Sequence, residues 1–260
     1  MSKERVLVVG DCHVDDTQDL SRFEALGKYI LEQRPTHIVM IGDFLSMHCF
    51  SNWDRDKRAK MEGLRYAAEI AAGNEALDLM FGPVNAYNKT KKRSKKAQYK
   101  PELIYIEGNH EERERRYLDY NPELIGTLDY RAALRLKERG FKFIPYRSYH
   151  YINEVGFTHI PMNKMNKPAG GMRVMTTSLQ MHAHSVVFGH THELKIDGEH
   201  RHGAKHFNQA LNVGCFFEHV DDYALGSKTD YWRGVIMLDM YSPNRFDYNT
   251  MSLGRLAKEY

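Results

Sequence analysis

Short, almost wholly apolar runs recur through the first half of the chain, and each breaks at a glycine followed by a polar residue. They are "RVLVVGD", "HIVMIGD" and "LIYIEGN". Runs of this length with little polar alternation predict strands buried on both faces. Between them the period changes to that of a helix. "SRFEALGKYILEQRP" predicts a helix that starts with a capping box, Ser21 with Glu24, and ends before Pro35. "DRDKRAKMEGLRYAAEIAAGNEALDLMFG" predicts one long helix, with Met61, Leu64, Ala68 and Ala71 at spacings of three and four. "YRAALRLKERG" predicts another, closed by Gly140. The second half is richer in strands: "KFIPY", "YHYINEV", "GFTHI", "SVVFGH" and "RGVIMLDMY", with a helical "MRVMTTSLQMH" among them. Alternating strand and helix, then strands in succession, predict an α/β chain with two mixed sheets and helices outside. No internal repeat and no linker divides it, so one domain over residues 1–260 is expected, with a basic loop at about 85–100.

Composition narrows the class. The chain is 42% hydrophobic and 27% charged, ordinary for a globular protein, and no apolar run approaches the length that spans a bilayer. "MSKERVLVVGD" passes from charges straight into a strand, without the apolar region of a signal peptide. Cys12, Cys49 and Cys215 are odd in number and far apart, which is no disulfide framework. A reducing, cytoplasmic setting without membrane contact is expected. Net charge is only +3, so nothing global marks a polyanion binder.

The polar residues after the strands carry the chemistry. "GDCH" brings Asp11 and His13, "GD" brings Asp43, "GNHE" brings Asn109 and His110, "FTHI" brings His159, and "GHTH" brings His190 and His192. Sites in open α/β sheets form outside the carboxyl ends of strands, so segments distant in sequence can meet on one rim. Carboxylates, an amide oxygen and imidazoles, with no convergent thiolates, favour Mn, Fe, Zn or Ni over a structural cysteine-zinc site. Asp11, His13, Asp43, Asn109, His159, His190 and His192 are too many for one ion; two divalent ions sharing a bridging carboxylate would use them all.

In this order the motifs resemble those of the calcineurin-like metallophosphoesterase superfamily: D-x-H, G-D, G-N-H-D/E, a lone His and G-H-x-H, all within residues 11–192. "LNVGC", Leu211 to Cys215, resembles the family's Asn-x-Gly-Ser strand. The resemblance implies the family's sandwich of two sheets flanked by helices. It implies that Asp11, His13 and His192 hold one ion, that Asn109, His159 and His190 hold the other, and that Asp43 bridges them. It places His110 at the substrate, stabilising the transferring phosphoryl group or protonating the leaving oxygen. The expected reaction is hydrolysis of a phosphate ester. Two cations about 3.5–4 Å apart lower the pKa of a bridging water, and the hydroxide attacks phosphorus in line.

The substrate is less defined. Serine/threonine phosphatases of this superfamily carry Asp-Arg soon after the second motif, where this chain reads "GDFLSMHCF". "GDFLSMHCFSNWDRDKR" and "YIEGNHEERERRYL" resemble a compact group from phages and bacteria, which implies a small phosphodiesterase acting on nucleic acid or nucleotides. A phosphomonoesterase, acting on protein or small molecules, and a non-catalytic nucleic-acid-binding module are the alternatives. Arg113 is a candidate phosphate contact, and His48 stands close enough to Asp43 in sequence to be another. In "NKTKKRSKKAQYK", residues 88–100, Lys92, Arg93 and Lys95 are candidate contacts to a polyanion, the other reading being a solvated loop. Packing or polar roles are expected for His182 and His184, solvated surface for His200, His202 and His206, and a buried filler for Cys12.

Overall fold

A computed structural model describes residues 4–52, 56–169, 173–200, 207–218 and 230–260. The first apolar runs form β1 (Glu4–Val9), β2 (His37–Met40) and β3 (Glu102–Ile106), joined in parallel and extended by β4 (Phe141–Ile144). Two antiparallel strands, β10 (Gly234–Ser242) and β11 (Arg245–Ser252), complete a six-stranded sheet in the order β11-β10-β1-β2-β3-β4. The second sheet runs β5-β6-β7-β9-β8, from β5 (His150–Ile152), β6 (Val155–Phe157), β7 (Val186–Phe188), β8 (Leu194–His200) and β9 (Phe207–Val213). Both sheets mix parallel and antiparallel pairs, as expected.

The continuous apolar runs are explained by burial on both faces. Val6, Val8, Val39, Ile104 and Ile106 point between the sheets, where they meet Phe157, Val187, Leu211 and Val213. Leu7, Val9, Ile38, Met40 and Tyr105 point the other way, towards α1 (Ser21–Gln33) and α3 (Tyr66–Thr90). Helix α6 (Val174–Met181) covers the outer face of the second sheet through Val174, Met175 and Leu179 against Val186 and Phe188. The layers are therefore helix, sheet, sheet, helix.

Several boundaries differ from the expectation. The box between Ser21 and Glu24 does not form: Ser21 is already helical, and Asp19 accepts its N–H and hydroxyl at 2.8 and 2.9 Å. The long helix is broken. A single turn, α2 (Arg58–Met61), stops before Gly63, whose φ of +79° is left-handed. After it α3 runs on through Pro83 to Thr90, into the basic run. Predicted as a helix, 130–140 keeps one turn, α5 (Tyr130–Ala133), with Asp129 accepting from the N–H groups of Arg131 and Ala132. Leu134 and Leu136 are both buried, a spacing of two that a helix would place on different faces. "YHYINEV" is no single strand: β5 and β6 form a hairpin whose turn residues, Asn153 and Glu154, both have positive φ. Helix α4 (Glu112–Tyr120) follows "GNHE" directly, and α7 (Leu253–Glu259) ends the chain. No helix among the described residues is long and apolar enough to cross a membrane.

Candidate metal centre

Five strands end on one rim. Asp11 lies two residues beyond β1, Asp43 three beyond β2, Asn109 three beyond β3, His159 two beyond β6 and His190 two beyond β7. The loops are tied through Asp43. Its carbonyl accepts the N–H groups of Cys12 and His13 at 2.9 and 3.0 Å, and its Oδ1 accepts the His110 N–H at 2.8 Å. Turning so tightly needs unusual backbone. Gly42 has φ +110°, and His13, Asp43, His190 and His192 take φ between +46° and +72°. L residues avoid that region unless the surroundings enforce it, and such strain clusters at functional sites. At Gly108 a Cβ would lie 2.1 Å from both the Asp43 N and its Oδ1, so only glycine lets the third loop approach the second.

Three groups of ligand atoms meet there, each within 4.8 Å: Asp11, His13 and His192; Asp43, His159 and His190; and His13, Asp43 and His110. In the first, His192 Nε2 lies 3.1 Å from Asp11 Oδ2. In the second, His159 Nε2 lies 3.3 Å from Asp43 Oδ2 and 2.9 Å from Asn109 Oδ1. His13 Nε2 stands 4.0 Å from both Asp11 Oδ2 and Asp43 Oδ2, so Asp43 faces both of these groups. All seven expected ligands are thus brought together. The donor set fits divalent cations: it is oxygen and imidazole, and Asp11, His13, Asp43, His159 and His192 are buried. Burial alone would raise Asp43, yet the facing imidazoles, His159 foremost, hold its carboxyl well below the usual range. Burial would lower His159, but Asp43 and Asp11 lift it to about 9. His190, by burial and the nearby His159, is pushed down to about 4 and so offers a neutral nitrogen.

His110 reaches the same cluster, its Nε2 3.9 Å from Asp43 Oδ2. Burial pushes it down to about 4, against the pull of Asp43. Arg113 lies beside it, Nη2 to His110 Nε2 at 2.9 Å. His48 stands 3.8 Å from Asp15 Oδ2, near this edge. Cys12 is fully buried and its thiol donates to the Gly10 carbonyl. His182 bonds Ser178 O and Tyr149 OH, a polar packing role, and His184 packs edge-on to Tyr151. His200 is exposed, whereas His202 and His206 lie outside the described residues.

The basic run with Lys92, Arg93 and Lys95 lies away from the cluster. Helix α3 begins near the rim, where Glu69 accepts the His48 and Cys49 N–H groups, and its 25 residues extend about 37 Å away. At the far end Asn88 closes the loop onto Tyr99, and Tyr99 OH donates to the Pro35 carbonyl, beside the amino end of β2. The three cations are exposed there.

One residue the motif reading left without a role is Glu111. Fully buried, its Oε1 accepts from Leu45 N at 2.9 Å and Tyr105 OH at 3.1 Å, and its Oε2 from Gly108 N at 2.9 Å and Asp43 N at 3.1 Å. All four acceptor sites are used, and they pin the second and third loops together. Burial and the Asp43 charge lift its pKa to about 7, opposed by the N–H donors. Its place in "GNHE" was a signal, but only the fold shows which donors it meets. Asn212, from "LNVGC", bonds the Thr191 hydroxyl between the paired histidines.

The family pattern described as calcineurin-like phosphoesterase matches residues 4–194. No curated protein sequence matches the chain. Among solved structures, a conserved protein of Streptococcus pneumoniae TIGR4, described as a predicted phosphoesterase, is similar at 11% identity over 98% of this chain and 92% of that one, with a TM-score of 0.42. With the pattern spanning the strands and loops that build the cluster, the chain belongs to the calcineurin-like phosphoesterase family.

Proposed function

We propose that the protein is a two-metal phosphodiesterase acting on nucleotide or nucleic-acid phosphodiesters. The observation that carries this reading is the placement of Asp43 between two groups of ligands. Asp11, His13 and His192 would hold one ion and Asn109, His159 and His190 the other, with Asp43 shared. Two such cations would supply Lewis acidity and a water acidic enough to attack phosphorus at neutral pH. The chain's own residues do the rest. The buried loops fix the ligands before substrate arrives, so little reorganisation accompanies the reaction. His159 Nδ1 lies 3.1 Å from the Ile41 carbonyl, which orients the ring and leaves Nε2 facing the cluster. His110 and Arg113 form the substrate-facing edge.

Purified protein loaded in turn with Mn²⁺, Ni²⁺, Zn²⁺ or Mg²⁺ tests this against bis-p-nitrophenyl phosphate, p-nitrophenyl phosphate, cyclic nucleotides, single-stranded DNA and RNA. Metal-dependent turnover that favours diesters is expected. Preference for the monoester, or no hydrolysis with any metal, would overturn the reading.

A further inference from the structure

The basic run, remote from the metal centre, is a folded surface and not a loose loop. Lys89, Lys91, Lys92, Arg93 and Lys95 follow one another, and no Asp or Glu stands between Asp78 and Glu102. Among the described residues none of these cations has an acidic partner, whereas Arg115, Arg139 and Arg255 each lie against a carboxylate. Some of them complement the partial negative charge at the carboxyl end of α3, but a run of this length exceeds that need. The backbone that carries them is tied down. Asn88 Oδ1 accepts the Tyr99 N–H at 2.8 Å, and its Nδ2 donates to the Tyr99 carbonyl at 2.7 Å, which closes the loop. Within the loop the Ser94 and Ala97 N–H groups donate to the Lys91 and Ser94 carbonyls, both at 3.0 Å. The Lys91 ammonium stands 5.6 Å from the centre of the Tyr87 ring, and the Arg34 guanidinium, just past α1, stands 4.6 Å from the same ring. An aromatic ring places a cation without neutralising it. Asn85, Asn88, Lys89, Lys92 and Gln98 line an open hollow of about 340 Å³, which brings amide and ammonium donors around one space.

We propose that this surface is an exosite for the phosphate backbone of nucleic acid, which it holds while a diester of the same strand lies at the metal centre. This rests on the phosphodiesterase reading and makes its substrate a polymer. Cations without acids around them release counterions from a polyphosphate on contact. The amide donors of the hollow add hydrogen bonds to phosphate oxygens, which position a strand without reading its bases. The Tyr87 ring is engaged by Arg34 and Lys91, so binding is indifferent to sequence. An anionic membrane fits less well, because residues 91–96 carry no apolar side chain to enter a bilayer. The exosite is separate from the reacting centre. Helix α3 spans about 37 Å, and Glu75 and Asp78, exposed along it, interrupt any basic track on this helix. With phosphates about 3.4 Å apart along a strand of a duplex, at least about 11 nucleotides are needed to reach from one point to the other. A polymer held at the exosite therefore gains effective concentration at the metals, and a short diester does not.

The test combines Lys92→Ser, Arg93→Ser and Lys95→Ser in one variant, and Lys92→Arg with Lys95→Arg in a second that keeps the charge. All three side chains are exposed and without acidic partners, so the fold should be unaffected. Mixed-sequence DNA and RNA strands of about 25 nucleotides are long enough to span both points. Their affinity for the metal-loaded proteins is measured by fluorescence anisotropy at several KCl concentrations, at low temperature before strands are cut. The serine variant should bind both strands more weakly, with a log–log slope against salt shallower by about 2–3, the amount for three lost phosphate contacts. The arginine variant should bind as the wild type does. For the long strand kcat/KM should fall in the serine variant through a higher KM, while a dinucleotide should be cut as before. Unchanged affinity and slope would overturn the proposal. So would polyglutamate or phosphatidylserine vesicles binding as tightly as the strands at the same salt, or a dinucleotide that loses as much turnover as the long strand. If the wild type hydrolyses no diester, the phosphodiesterase reading falls, while the salt slopes still decide whether the run binds nucleic acid. If the serine variant cuts the long strand as well as the wild type does, the exosite falls and the phosphodiesterase reading stands.

Discussion

Glu111 shows how a single buried group sets a site's geometry. Four donors converge on its carboxylate, three of them backbone N–H groups from two loops that carry metal-binding candidates. In Glu111→Gln an amide NH₂ would face donors it cannot satisfy. A loss of about 3 kcal/mol is expected, since each stranded buried polar group costs about 1–3 kcal/mol. Metal affinity should fall by about 10–100-fold as the loops lose their alignment. Urea unfolding and metal titration check both; a stable variant with unchanged affinity would make the four contacts incidental. The metal candidates themselves were legible in the sequence because each is a polar residue that interrupts an apolar run. Glu111 was visible only as part of "GNHE", because its importance lies in partners that only tertiary contact supplies.

Glu69 has a different consequence. It is buried, accepts the His48 and Cys49 N–H groups at 3.2 and 3.1 Å, and burial raises its pKa from 4.5 to about 7. The folded state therefore holds this proton more tightly than the unfolded one. The stabilisation is fully present below pH 4.5 and is lost as pH rises through about 7, by roughly 3 kcal/mol in total. Glu69→Gln has no such titration. Denaturation midpoints at pH 5 and pH 8 should show the variant gaining on the wild type at the higher pH. A difference that stays constant between the two would contradict the assignment.

Among the elements, strands were read more reliably than helices. Runs such as "RVLVV" and "HIVM" are apolar because both faces are buried, and that requirement leaves little else they could be. The helix boundaries depended on local backbone. Gly63 splits the expected long helix, and Pro83 fails to stop it. The β5–β6 turn was hidden because Asn-Glu is a weak turn signal. There Glu154 holds φ +65°, where an L side chain is strained. Glu154→Gly should stabilise the fold by about 0.5–1 kcal/mol, read as a higher urea midpoint with the slope unchanged. A lower midpoint would show that the Glu154 side chain contributes more than its backbone conformation costs.

The basic run is an element whose charge was legible and whose place was not. It sits at the end of α3 remote from the cluster. Changing Lys92, Arg93 and Lys95 to serine should leave turnover of bis-p-nitrophenyl phosphate within about twofold, because isolated surface charges contribute little at that distance. A collapse of small-diester turnover would mean the run acts on the site after all.

For the whole molecule, two sheets are packed so that the carboxyl ends of β1, β2, β3, β6 and β7 deliver their loops to one rim. The inter-sheet core of Val6, Val39, Ile104, Phe157 and Val187 fixes how those ends align. Asp43 stands where these loops meet, its carboxylate facing His13 on one side and His159 on the other. The most direct measurement is metal content by plasma emission alongside diester turnover, for wild type and Asp43→Asn. Two ions per wild-type chain with metal-dependent hydrolysis are expected. In the variant fewer ions should remain, and turnover should drop by about 10²–10³-fold or more, since a neutral amide cannot hold two dications together. Two ions and normal turnover in Asp43→Asn would contradict the shared-carboxylate centre.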